Sequence, residues 1–155
     1  MPPHLKLWSR RFATLFSTGF APFAPGTAAS LVSLPFAFAL HWLGGASALF
    51  VAAVVASLVG VWACELYVRQ TGNEDPSEAV IDELAGQWLA CAFAPLSWQG
   101  YLAAFVLFRF FDMTKIWPVS AAERARGGWG VMLDDIVAGL IAGVIVSGLH
   151  YWKVL

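Results

Sequence analysis

The 155-residue sequence predicts an all-α fold, a polytopic membrane bundle of about five hydrophobic helices in two hairpins plus a final span. Three observations predict it. The chain is 59% hydrophobic and only 12% charged, against roughly 25% charged in an average soluble domain. No acid or base stands between Arg11 and Glu65. All ten acidic residues crowd into two segments, 65–83 and 109–135, which leaves apolar blocks at 12–64, 84–108 and 136–152. The length fits one domain, residues 1–155.

The N-terminus, "MPPHLKLWSRRFATLF", sets basic residues ahead of an apolar run, as a signal peptide does. The run continues through "FAPFAPGTAASLVSLPF" without a clear cleavage site, so no cleaved peptide is expected. Block 12–64 is long enough for two spans of about 20 residues each. Gly44-Gly45 divides it into helices near 28–43 and 46–66. Block 84–108 contains "FAPLSWQGYL", whose Pro95, Ser97, Gln99 and Gly100 form a turn signal. It therefore reads as two short helices, near 76–94 and 98–114, tilted or dipping partway into the bilayer. Block 136–152 is one span.

Two hairpins before the last span place the N-terminus, segment 65–83 and segment 109–135 on one side. Three bases in the N-terminus (Lys6, Arg10, Arg11) and four in segment 109–135 (Arg109, Lys115, Arg124, Arg126) mark that side as cytoplasmic. The C-terminus, with Lys153 alone, falls opposite. All the acids then share one membrane face.

The acids read in three groups. In "NEDPSEAVIDELAGQW", Asp75-Pro76-Ser77-Glu78 resembles a helix start, with Asp75 as N-cap and Glu78 completing a capping box. Asp82 and Glu83 come two turns later, where no cap is needed and an apolar run begins. A carboxylate in such a place needs a partner or a cation, and intramembrane acids default to function. In "FRFFDMTKIWPV", Arg109, Asp112 and Lys115 at i, i+3, i+6 share a broad helix face. A plain Arg109–Asp112 ion pair explains part of this; phosphate recognition by the arginine fork and the lysine charge explains its place beside an apolar run. In "GGWGVMLDDIVAG", the glycines make a flexible approach. Asp134 can cap the last helix, with Asp135 favoured by its dipole. Clustered hard oxygen ligands of this kind suit Mg²⁺. Finally, "GFAPFAPGTAAS" breaks the apolar chain, and Thr27 there either caps a helix or brings a helix N-terminus to an anion.

Other chemistries are excluded. Net charge is −1, so no basic field suggests nucleic acid. Cys64 and Cys91 lie in apolar stretches and suggest neither disulfides nor zinc. Cys64 to Arg69 is one residue short of a phosphatase Cys-x5-Arg. His4, His41 and His150 are isolated, and no Walker-type loop appears.

Together "PFAPGTAAS", "DPSEAVIDELAG", "FRFFDMTKIWP" and "GGWGVMLDDIVAG", in this order and spacing, resemble the phosphatidylglycerophosphatase A family of bacterial membrane lipid phosphatases. The likeness covers Gly19 to Gly139. It implies Mg²⁺-dependent hydrolysis of phosphatidylglycerophosphate to phosphatidylglycerol and phosphate at the inner membrane, and the basic residues put the site on its cytoplasmic face. By position it implies catalytic and metal-binding roles for Asp82, Glu83, Asp112, Asp134 and Asp135, and substrate binding by Arg109 and Lys115. Thr27 joins the substrate-binding set from the Pro-Gly-Thr turn. Ile116 stands where the family commonly has proline, and Ala29 where it often has glycine. The partners implied are the phospholipid substrate and the surrounding membrane lipid. Trp8, Trp117 and Trp129 read as interfacial anchors. Water attack and an aspartyl-phosphate intermediate both fit. The rival classes are a small transporter or channel subunit using the same acids for ion passage, and an accessory protein whose charges only anchor helices.

Overall fold

The structure, a computed structural model, describes residues 1–74 and 76–155. Asp75, expected above to cap a helix, lies outside the described residues. The described chain is all helical. Its helices are α1 (Pro3–Ala13), α2 (Pro25–Thr71), α3 (Ile81–Ala92), α4 (Trp98–Thr114), α5 (Val119–Ala122) and α6 (Gly127–Tyr151), with a 3₁₀ turn at Thr18–Phe20.

α2 is two helices joined at Gly45, where φ 75° and ψ 179° leave the helical region. Glycine alone adopts that conformation without steric cost. The chain reverses there. Phe38 and Phe50, on either side of the break, contact Tyr101 and Phe93, with ring centroids 5.7 and 6.1 Å apart. At the far ends, Gly26 abuts the Glu83 carboxylate and Gly60 abuts Met132 and Ile81. Both arms of α2 therefore run from the start of α3 to its end. Their outer faces expose Leu31, Phe36, Trp42, Leu43, Val51, Val55 and Leu58, a contiguous apolar surface of the kind water does not tolerate. α2 and α6 are long and apolar enough to cross a membrane.

α3 sits at the centre. It has 12 residues, and Ile81, Asp82, Leu84, Ala85, Gly86, Gln87, Leu89, Ala90, Cys91 and Ala92 are all buried. It meets α6 at backbone contact. A Cβ on Gly139 would lie 2.9 Å from the Gly86 Cα, and one on Gly86 would lie 2.6 Å from the Asp135 carbonyl oxygen. Real Cβ contacts that short do not occur, so both positions require glycine. This crossing sets the first turn of α3 beside the acidic stretch of α6.

α4 runs over 98–114 as expected, capped by the Ser97 hydroxyl, which accepts from the Gly100 N–H at 3.1 Å. Four expectations are corrected. α3 begins at Ile81, not near 76, because Pro76–Val80 is held as a turn: Ala79 N–H donates to the Pro76 carbonyl at 2.8 Å and Val80 N–H to the Ala13 carbonyl at 2.8 Å. Glu78 closes no capping box there; it accepts a hydrogen bond from the Tyr67 hydroxyl at 3.0 Å. α6 begins at Gly127, nine residues ahead of the apolar block, because the Glu65 carboxylate accepts the Gly128 N–H at 2.8 Å. Its glycines are thus the opening turns of a helix rather than a flexible approach, and Asp134 and Asp135 lie about two turns inside it, where neither caps. α2 begins at Pro25 with Ala24 in the capping position, so Thr27 lies within the first turn and caps nothing. Helices α1 and α5 are additional to the sequence expectation. α1 packs on the second arm of α2, where Gln70 donates to the Ser9 hydroxyl at 2.7 Å and Phe12 meets Trp62.

Gly139→Leu forces α3 and α6 apart and should lower stability by about 1–3 kcal/mol through overpacking. Thermal unfolding in detergent measures it, and a surface control, Gly148→Leu, should leave the midpoint unchanged because nothing lies near that position.

Candidate metal and phosphate site

The α3–α6 crossing and the end of α4 bring five carboxylates together. Asp82 and Glu83 stand in the first turn of α3, Asp112 in the last turn of α4, and Asp134 and Asp135 on the inner face of α6. Oxygen atoms of Asp82, Glu83 and Asp135 lie within 4.8 Å of one another, as do those of Asp112, Asp134 and Asp135. Asp135 joins the two groups. All but Glu83 are buried, and Glu83 is half-buried.

Two cationic side chains contact this cluster. Arg109 Nη1 lies 2.6 Å from Asp112 Oδ2, and Lys115 Nζ lies 3.5 Å from Asp112 Oδ1 and hydrogen-bonds Asp134. Lys115 reaches both because it is the residue at which α4 ends, with a left-handed φ of 50° that turns it off the helix axis. Burial alone would lower its pKa. The Asp134 and Asp112 carboxylates outweigh that and hold the ammonium charged well above its ordinary range.

Two cations do not balance five carboxylates, four buried and one half-buried. Glu83 Oε2, Asp134 Oδ1 and Asp135 Oδ1 are buried and have no hydrogen-bond partner among the described residues. Buried charge left this way is costly unless a cation completes it. The donors are all carboxylate oxygens, a hard set that suits Mg²⁺, Mn²⁺ or Ca²⁺ and not the softer metals. The residues therefore fit a divalent cation.

The cluster forms one end of a cavity of about 380 Å³. Asp82, Glu83, Asp112, Lys115, Asp134 and Asp135, each singled out in the sequence, line it. Arg109 and Thr27 do not. Arg109 stands behind Asp112, against the start of α2, where a Cβ on Gly26 would come within 3.3 Å of its Nη1 and would strike Glu83. Thr27 follows that glycine and is half-buried. The sequence reading missed Glu74, Ser77, Glu123 and Arg126, which line the outer wall. They sit in turns brought together only by tertiary folding, and no periodicity marks them. It also missed Glu65, whose hold on Gly128 starts α6; an acid directly at the end of an apolar block was the available signal. Trp8, Trp117 and Trp129 are all exposed, as anchors need to be.

Comparisons with known proteins place the chain among lipid phosphatases. The family model described as phosphatidylglycerophosphatase A matches residues 11–150. The chain is 37% identical over 141 residues to phosphatidylglycerophosphatase A of Escherichia coli, covering 88% of this chain and 81% of that one. It is 35% identical over 139 residues to phosphatidylglycerophosphatase A of Haemophilus influenzae, covering 88% and 85%. A Bacteroides thetaiotaomicron protein carrying the provisional name phosphatidylinositol-3-phosphatase is 39% identical over 141 residues, covering 86% and 88%. No solved structure matches.

If the orphaned oxygens await a cation, millimolar Mg²⁺ raises the unfolding midpoint of the detergent-solubilised protein and EDTA lowers it. At 100 times the dissociation constant the gain is about 2.7 kcal/mol. Asp135→Asn, which disconnects the two carboxylate groups, should abolish the shift; an undiminished shift in that variant removes Asp135 from the metal site.

Proposed function

The chain belongs to the phosphatidylglycerophosphatase A family, and from that membership we propose how its cavity carries out the family's reaction. The enzyme is a phosphoric monoester hydrolase that converts phosphatidylglycerophosphate to phosphatidylglycerol and phosphate. The observation that carries the mechanistic reading is the set of buried carboxylate oxygens without partners around a single cavity.

In this reading Asp82, Glu83, Asp112, Asp134 and Asp135 hold Mg²⁺. When bound there, the ion would supply Lewis-acid polarisation of the phosphoryl oxygens and a lowered pKa for water. Lys115 faces the cavity and neutralises charge gathering on the transferring phosphoryl group. Arg109 holds Asp112 from outside the cavity lining; the phosphate contact expected of it and of Thr27 would have to come from the Gly26 side. A carboxylate with an unpaired oxygen, Glu83 or Asp134, takes the proton of an attacking water as the phosphorus–oxygen bond to glycerol breaks, and passes that proton to the departing glycerol oxygen. Attack by a carboxylate to give an aspartyl-phosphate uses the same geometry.

The two arms of α2, the α3–α4 pair and α6 are read as two hairpins and a final span in the bacterial inner membrane. The acids and the basic N-terminus then face the cytoplasm. The diacyl tails stay in lipid while the phosphomonoester enters at the headgroup level. Ion passage would need polar groups along the spans. Past Asp135, the buried face of α6 is Ala138, Gly139, Ala142, Gly143 and Val146, which supports the enzyme over a transporter.

Asp82→Asn, Glu83→Gln and Asp135→Asn should each cut phosphate release from phosphatidylglycerophosphate by about 10²–10³ while the protein still inserts, since one lost electrostatic partner costs that much. Glu78→Gln should be mild, because Glu78 serves Tyr67. Retention of more than about a tenth of wild-type rate by all three acid variants would falsify the assignment. Arg109→Lys separates two roles for Arg109: heavy loss of activity with normal folding marks a fork on phosphate, and a mild effect marks a charge held for Asp112. Cysteines placed at Asn73 and Arg124 should both react with an impermeant reagent from the cytoplasmic face; labelling from opposite faces sinks the two-hairpin topology.

A further inference from the structure

The wall of the catalytic cavity carries seven described carboxylates and only two cationic side chains, Lys115 and Arg126. Lys115 is committed to Asp112 and Asp134 at the inner end. Arg126 is different in every respect. It stands at the outer wall with Glu123, Ala125 and Gly127, it is exposed, and it has no ion-pair partner among the described residues. Its backbone is nevertheless fixed. The next residue, Gly127, takes φ 63° against the Glu65 carboxylate, and that same carboxylate holds the Gly128 N–H at 2.8 Å. A carboxylate from α2 thus stations an arginine at the cavity mouth.

The substrate of this family carries two phosphates. The terminal monoester is cleaved; the phosphodiester joins the headgroup to the diacylglycerol and survives in the product. A glycerol spacer separates them. The inner end, with its carboxylates and Lys115, suits the monoester. A second anion approaching a wall this acidic needs a cation of its own, and a guanidinium at the mouth supplies one with a fork that matches phosphate oxygens. We propose that Arg126 binds the phosphodiester of the lipid headgroup and so sets the enzyme's preference for a lipid bearing both a diester and a terminal monoester. The assignment rests on the proposed function and extends it to a residue outside the acid cluster.

The test uses the full-length enzyme in mixed micelles. Arg126→Gln should raise KM for phosphatidylglycerophosphate about tenfold or more, as loss of a charged hydrogen bond does, with kcat nearly unchanged. Arg126→Lys should restore part of the affinity. The product phosphatidylglycerol, which keeps the diester and lacks the monoester, should inhibit the wild type competitively and Arg126→Gln far less. An unchanged KM in Arg126→Gln, a fall in kcat alone, or equal product inhibition of both proteins overturns the assignment and leaves the hydrolase reading intact. A wild type that releases no phosphate from phosphatidylglycerophosphate overturns the hydrolase reading itself.

Discussion

Negative charge buried at one end of an otherwise apolar bundle is the constraint on which this molecule depends. Five carboxylates meet where α3, α4 and α6 converge, and two cations answer them. Such a cluster opposes its own assembly. The fold tolerates it because the remaining packing is apolar and close, and because the free oxygens share one cavity that a divalent cation and a phosphate can enter. In the proposed function stability and function meet there: the cation that would complete the charge balance would also supply the chemistry.

Glycine makes that convergence possible. Gly86 and Gly139 let α3 and α6 touch backbone to backbone, and Gly26 lets the start of α2 close over Glu83 and Arg109. In a bilayer, helices gain little from hiding apolar side chains from one another, and small residues that permit close packing supply the association instead. Each approach also sets a distance between acids. A bulkier residue at Gly86 would move Asp82 and Glu83 away from Asp135, so packing and ligand geometry cannot be altered separately.

Much of this was legible in the sequence, for identifiable reasons. The break at Gly45 and the span of α4 followed from turn residues inside apolar runs. Asp82, Glu83, Asp112, Asp134 and Asp135 stood out because acids beside apolar helices have no cheap structural explanation, and the structure brings these five together. What failed was local logic at helix starts. Glu78, Thr27 and Asp134 each stood where a cap fits, yet long-range contacts set the boundaries: Ala13 and Tyr67 hold the turn before α3, and Glu65 starts α6. Capping rules see only neighbours in sequence. The outer cavity wall was invisible for a related reason, since Glu74, Ser77, Glu123 and Arg126 share no periodic face and meet only through the fold.

α3 has 12 residues, about 18 Å of helix, against a hydrocarbon core of about 30 Å. It carries two acids in its first turn and is buried on nearly every side. Such a segment has little to hold it in a bilayer by itself. During synthesis it leaves the ribosome before α4 and α6, the helices that cover it and complete its charge balance. On the proposed two-hairpin topology, membrane insertion of this chain is therefore a cooperative event that finishes only when α6 arrives. On that topology the last helix to be made is the one that would hold the central helix in the bilayer at all.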